Sequence, residues 1–145
     1  MSLSTDVKMA RDLATSAHLG AVDKAGAPYI LHPERVANRL NSPEEKVVAW
    51  LHDVVEDTDV TIEKIAEMFG YDTAKVVDAI THRKGESWTD YLCRVKGNKI
   101  ATSVKISDLI DNSNLSRLKK ITKRDIDRSA KYHRALIFLM ELDGE

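Results

Sequence analysis

Trp50-Leu51-His52-Asp53-Val54-Val55-Glu56-Asp57 is the stretch on which the fold and the chemistry turn. On a helix, positions four apart share a face, so His52 lies over Glu56 and Asp53 over Asp57. At about 3.6 residues per turn, the adjacent His52 and Asp53 are close enough to converge on one ion. Val47, Val48, Leu51 and Val55 supply apolar contacts, which predicts a largely buried helix with four polar groups in two turns. Three carboxylates in one buried patch raise each other's pKa values. A divalent cation removes that conflict and inverts the local electrostatics.

Working outward, Ser42-Pro43-Glu44-Glu45 reads as a capping box with proline at the first helical position, and it starts this helix. A first helix is expected from about Thr5 to Lys24, with Val7, Ala10, Leu13, Ala14 and Ala17 on one face, ended by Gly26-Ala27-Pro28. A short helix begins near Pro33. Thr61 caps another that Gly70 ends. Further helices are expected at about Thr73–His82, Thr89–Lys96, Asn98–Ser113 and Lys123–Leu142, the last with a Thr122–Asp125 capping box. No segment alternates with period two for long enough to make a strand. The expectation is an all-α, compact multi-helix bundle forming one domain over residues 1–145.

Composition agrees with a globular enzyme-sized unit. Hydrophobic residues make up 43% and charged residues 31% of 145, and a chain of this length buries roughly two-thirds of its unfolded surface. The net charge of −1 provides no bulk basic field, so nucleic acid and anionic membrane are not expected partners. No signal-peptide pattern or membrane span is visible, and the single Cys93, read as structural, suits a reducing cytoplasmic setting. Oligomeric state stays open.

One helix cannot complete a metal site, and two other segments can contribute. Tyr29-Ile30-Leu31-His32-Pro33 places a histidine at a helix entry, with proline fixing the backbone. Lys105-Ile106-Ser107-Asp108-Leu109-Ile110-Asp111-Asn112 puts Asp108 and Asn112 on one helical face. Two imidazoles and two carboxylates make a mixed nitrogen and oxygen set suited to manganese, iron or zinc. Such an ion lowers the pKa of water toward neutrality.

These three blocks, with Ala17-His18 and Gly26-Ala27-Pro28-Tyr29, resemble the HD superfamily. Within it the similarity is to the hydrolase domain of RelA/SpoT-type alarmone enzymes and their small single-domain relatives. The resemblance implies a divalent metal, typically manganese, held by His32, His52, Asp53 and Asp108. It implies that Glu56 and Asp57 position and activate the attacking water, and that Asn112 meets the ribose or phosphate region. The implied reaction removes the 3′-pyrophosphate of (p)ppGpp, giving GDP or GTP and pyrophosphate. Phosphoryl transfer also requires positive charge around the transferred oxygens, for which Lys24, Arg83, Lys84 and Lys105 are the candidates.

The chain departs from that family at three positions. Asp23 and Leu109 stand where alarmone hydrolases usually carry arginine, and Leu115 where threonine is common. Two other functions therefore stay beside the first. One is HD-type hydrolysis of another phosphorylated nucleotide, a nucleoside monophosphate or a cyclic nucleotide. The other is a non-catalytic metal- or nucleotide-binding module, against which the Glu56-Asp57 pair speaks. His18 is expected to pack beside the site, and His82 falls evenly between pocket and surface. Trp88 and Tyr91 are expected in the core.

Overall fold

A computed structural model describes residues 3–141. Among them are nine helices: α1 (Leu3–Ala17), α2 (Leu31–Asn38), α3 (Pro43–Leu51), α4 (Val54–Asp57), α5 (Ile62–Phe69), α6 (Tyr71–Ile80), α7 (Trp88–Lys96), α8 (Lys99–Ser113) and α9 (Lys123–Met140). The described residues contain no strand, only one isolated antiparallel bridge between Val22 and Pro28. The all-α expectation holds.

Local chemistry sets most helix starts. Ser42 accepts from Glu45 N while the Glu45 carboxylate returns to Ser42 N, and Thr122 with Asp125 repeats the pattern. Thr61, Ser87 and Asn98 cap α5, α7 and α8 by side-chain bonds to Lys64 N, Asp90 N and Ala101 N. Each such cap stabilises by about 1 kcal/mol. Gly70 separates α5 from α6 at φ 95°, where a side chain would be strained.

Four boundaries differ from the sequence expectation, and the mildest is α6, which runs Tyr71–Ile80 where about Thr73–His82 was expected, because it starts directly at Gly70 and Thr81 is already extended. α1 stops at Ala17, not Lys24, because the chain turns through Gly20 at φ 86° and closes a loop on itself. In that loop Tyr29 N donates to Ala21 O, Asp23 N to Ala27 O, and Ala25 N and Ala27 N to Asp23 Oδ1. α2 begins before the proline, so His32 lies in its first turn, where Pro33 removes no needed N–H. The helix expected through His52-Asp53-Glu56-Asp57 is two pieces, α3 and α4, with His52 and Asp53 at the junction. There His52 Nδ1 turns back onto Ala49 O at 2.6 Å, and Asp53 sits at φ −102°, ψ −6°. The Leu142 end expected for the last helix lies outside the described residues.

α3 and α8 form the centre. α3 packs on α1, α2 and α8, and α8 also meets α2, α6, α7 and α9. Val47, Val48, Leu51, Val54, Val77, Val95, Val104 and Leu109 fill the space between them. Ser107 Oγ donates to Val36 O at 2.9 Å, so α8 passes close to α2 without an unsatisfied hydroxyl. Cys93, expected to be structural, is exposed on α7. No described helix is long and apolar enough to cross a membrane.

Candidate metal centre

The two central helices and the start of α2 bring four ligand atoms together. His32, His52, Asp53 and Asp108 each offer one, and all four atoms lie within 4.8 Å of one another. His52 Nε2 is 3.0 Å from both Asp53 Oδ2 and Asp108 Oδ1. His32 Nε2 is 2.8 Å from the same Asp108 oxygen and 3.6 Å from Asp53 Oδ2. Three of the four residues are buried, and Asp53 is half-buried.

The outer nitrogens show that this donor set fits a cation. His52 Nδ1 meets the Ala49 carbonyl, and His32 Nδ1 meets Asp111 Oδ2 at 2.6 Å. Each Nδ1 must therefore carry a proton, which leaves Nε2 of a neutral ring with its lone pair facing the carboxylates. Four inward electron pairs repel unless a positive charge sits among them. Burial pulls both imidazoles down in pKa, yet the neighbouring carboxylates outweigh it and raise both, His52 well above its usual value. Against burial, His52 pulls Asp53 down to about 2, while Lys105 and His52 hold Asp108 well below the carboxylate range. The cluster is built around positive charge, and the residues are compatible with a divalent metal.

Other groups lean on the same cluster. The Tyr29 hydroxyl donates to Asp53 Oδ2, and the His18 ring packs on Tyr29 with centroids 4.9 Å apart. Asn112 Nδ2 donates to Asp108 Oδ1 at 3.0 Å, and Lys105 Nζ to Asp108 Oδ2 at 2.8 Å. Lys105 also lies over the rings of Tyr91 and Trp88, 5.1 Å and 5.7 Å from their centroids. Tyr91 is in the core as expected, while Trp88 is half-buried at a cavity wall.

Two cavities meet at the cluster. One of about 260 Å³ is lined by Asp53, Glu56, Asp57, His82, Lys105 and Asp108. The other, about 420 Å³, is lined by Lys24, Tyr29, His32, Arg35, Leu115 and Arg117. Tyr29, Asn112 and Tyr132 border both. Burial raises the Glu56 carboxyl above the usual range, against a hydrogen bond from His82 N–H and with help from Asp53. Asp57 is raised by burial and then by the charge of Asp53.

The candidate phosphate ligands divide. Lys24 and Lys105 line the cavities. Arg83 and Lys84 are exposed and border neither, because Arg83 turns to Asp78 Oδ2 at 2.8 Å. In that loop it is Arg94 that organises the chain. It donates to both Glu86 oxygens and to the carbonyls of Asp78, Ala79 and Thr81. Sequence reasoning passed over Asp111, which is fully buried against His32, Arg35 and Arg39. Its one signal was its position three residues after Asp108 on the same helix side.

The family model for the HD domain matches residues 10–102, nearly two-thirds of the chain. The chain belongs to the HD-domain family. That match stops short of Asp108, whose carboxylate the packing of α8 brings to the other three candidate ligands. A guanosine-3′,5′-bis(diphosphate) 3′-pyrophosphohydrolase of Aquifex aeolicus is 32% identical over 119 residues, covering 74% of this chain and 17% of that relative. A probable enzyme of the same name from Synechocystis is 48% identical over 62 residues, covering 40% of this chain and 8% of the relative. The HD domain thus spans a small fraction of these curated relatives. Among solved structures, one described as a metazoan SpoT ortholog that hydrolyses ppGpp superposes with TM-score 0.76 at 22% identity, covering 92% of this chain and 84% of the other. That likeness is one of fold. The lmo0812 protein of Listeria monocytogenes EGD-e superposes with TM-score 0.64 at 30% identity, over 83% of this chain and 85% of the other.

Proposed function

We propose that this HD domain is a metal-dependent phosphohydrolase that removes the 3′-pyrophosphate of (p)ppGpp, giving GDP or GTP and pyrophosphate. The observation that carries the reading is the convergence of a two-histidine, two-aspartate donor set with Glu56 and Asp57 on the wall of one cavity. The names of the curated relatives support the substrate.

His32, His52, Asp53 and Asp108 would hold the ion, and Mn²⁺ is the ion we assign. When bound, the ion supplies Lewis acidity toward water and the phosphoryl oxygens. The protein's own groups do the rest. Glu56 and Asp57 face the smaller cavity, where their raised pKa values make them better proton acceptors than free carboxylates. One of them takes the proton as water oxygen bonds to phosphorus. The bond from phosphorus to the ribose 3′-oxygen breaks, that oxygen takes up a proton, and pyrophosphate leaves. Lys105 offsets charge on the transferred oxygens. The larger cavity, edged by Lys24 and Asn112, is suited in size to the nucleoside.

Incubation with Mn²⁺ and ppGpp, following pyrophosphate release, tests the assignment. No turnover by metal-loaded protein refutes it. A second reading has its own observation: Leu115 lines the larger cavity, and one oxygen of Asp23 is committed to Ala25 and Ala27 amides. Neither position offers a guanidinium to a base, and the cavity's Arg35 and Arg117 are turned to Asp111, which suits a phosphorylated nucleotide bound without an arginine stacked on its base. A panel of nucleoside monophosphates and cyclic nucleotides separates the two.

A further inference from the structure

Asp111 has no exposed surface, and every atom of its carboxylate is engaged. Oδ2 lies 2.6 Å from His32 Nδ1. Arg35 forks onto the carboxylate, Nε to Oδ1 at 2.8 Å and Nη2 to Oδ2 at 3.1 Å. Arg39 brings both terminal nitrogens to 3.3 Å from Oδ1. Arg117 Nη2 donates to the Asp111 carbonyl at 3.1 Å and lies 3.5 Å from Oδ2. Arg35 lies on α2 and Arg39, one turn on, caps its C-terminal end, while Arg117 follows α8. A buried carboxylate without such partners carries a large desolvation cost.

The chemistry of the contact decides where the proton sits. A carboxylate surrounded by guanidinium donors only accepts, so the proton in the short contact belongs to His32 Nδ1. α8 therefore grips both nitrogens of one ring: Asp111 at Nδ1, and Asp108 at Nε2, 2.8 Å away. We propose that Asp111, held by Arg35, Arg39 and Arg117, is a positioning residue that fixes His32 as the Nδ1–H tautomer and aims Nε2 at a divalent cation. This rests on the reading of His32 as a metal ligand. A carboxylate behind a metal-binding imidazole sets the ring's tautomer and raises its basicity as a ligand.

The test uses Mn²⁺ alone, titrated calorimetrically into the intact chain and into Asp111→Asn. The neutral amide keeps the shape but can present either a donor or an acceptor to His32. A variant with unchanged circular dichroism should bind Mn²⁺ roughly 10–100-fold more weakly. Its hydrolytic kcat should return at high Mn²⁺ with little change in KM for nucleotide, which a purely structural lesion would not allow. A folded variant that binds Mn²⁺ within about twofold of the parent overturns the inference. A measurement on the parent needs no variant: nitrogen spectra of ¹⁵N-histidine protein loaded with Zn²⁺ should show His32 protonated at Nδ1 and bare of hydrogen at Nε2. Protonation at Nε2 overturns it. If the parent binds neither ion, the metal-ligand reading falls and the inference with it. If the parent binds and Asp111→Asn binds equally, the inference falls alone.

Discussion

His52 Nε2 and Asp108 Oδ1 stand 3.0 Å apart although 56 residues separate them, so the α3–α4 junction and the middle of α8 share one inward-facing point. A ligand to that point stabilises the folded chain by mass action, about 2.7 kcal/mol at a hundredfold excess over Kd. Mn²⁺ should therefore raise the melting temperature of the parent and leave that of His52→Ala where it is without metal. Differential scanning calorimetry with and without Mn²⁺ measures this. An equal rise in both proteins removes His52 from the ligand set.

Glu56 is placed to handle a proton and lies outside the four-atom donor cluster. Glu56→Gln can still accept the His82 N–H and should keep its Mn²⁺ affinity. It should lose roughly 10²-fold or more in kcat, the scale of general acid–base catalysis. Metal titration and steady-state kinetics on one preparation check both halves. Full activity with intact metal binding contradicts the role.

Burial raises both Glu56 and Asp57 above their ordinary values. A base works only when ionised, so kcat/KM should climb with pH along a limb lying above about 4.3, the ordinary glutamate value. Below that limb the carboxyl is protonated and cannot accept. The Glu56→Gln profile should lose or displace this limb. A limb at or below the ordinary value, unchanged in Glu56→Gln, argues against a raised base.

Arg94 and Arg83 both serve the loop after α6, but unequally. Arg94 and Glu86 are mostly buried, and Arg94 also satisfies three carbonyls at that helix end. Arg83 and Asp78 are about half-exposed, with side chains at 54% and 43%. Arg94→Met should cost about 2–3 kcal/mol, since it strips several charged hydrogen bonds at once from part-buried acceptors. Arg83→Met should cost less than about 1 kcal/mol. Urea unfolding of the two variants gives the comparison, and equal midpoints would reject it.

Much of this was legible in local sequence. The Ser42–Glu45 and Thr122–Asp125 boxes are contacts within one turn, so their residues suffice to announce them. The missed end of α1 is different. Residues 18–24 contain nothing that forbids a helix at once, and the break is completed by the Asp23 loop and by Tyr29 reaching back to Ala21. Arg83 looked like a phosphate ligand because sequence shows a charge but not its direction, and in the fold that charge is paired with Asp78. Asp111 was one polar residue among several around Asp108. Its meaning depends on His32, 79 positions earlier.

Local spacings announce the helical class, the caps and the residue types of a candidate metal centre, because each depends on only a few neighbouring residues. Tertiary structure alone decided that His52 and Asp53 stand at a helix break and that Asp108 completes the donor set. It also decided that Asp111 meets the Nδ1 side of the His32 ring. Those outcomes follow from α3 and α8 packing face to face with α2, a contact between distant segments. There, burial removes water and makes each buried charge find its partner.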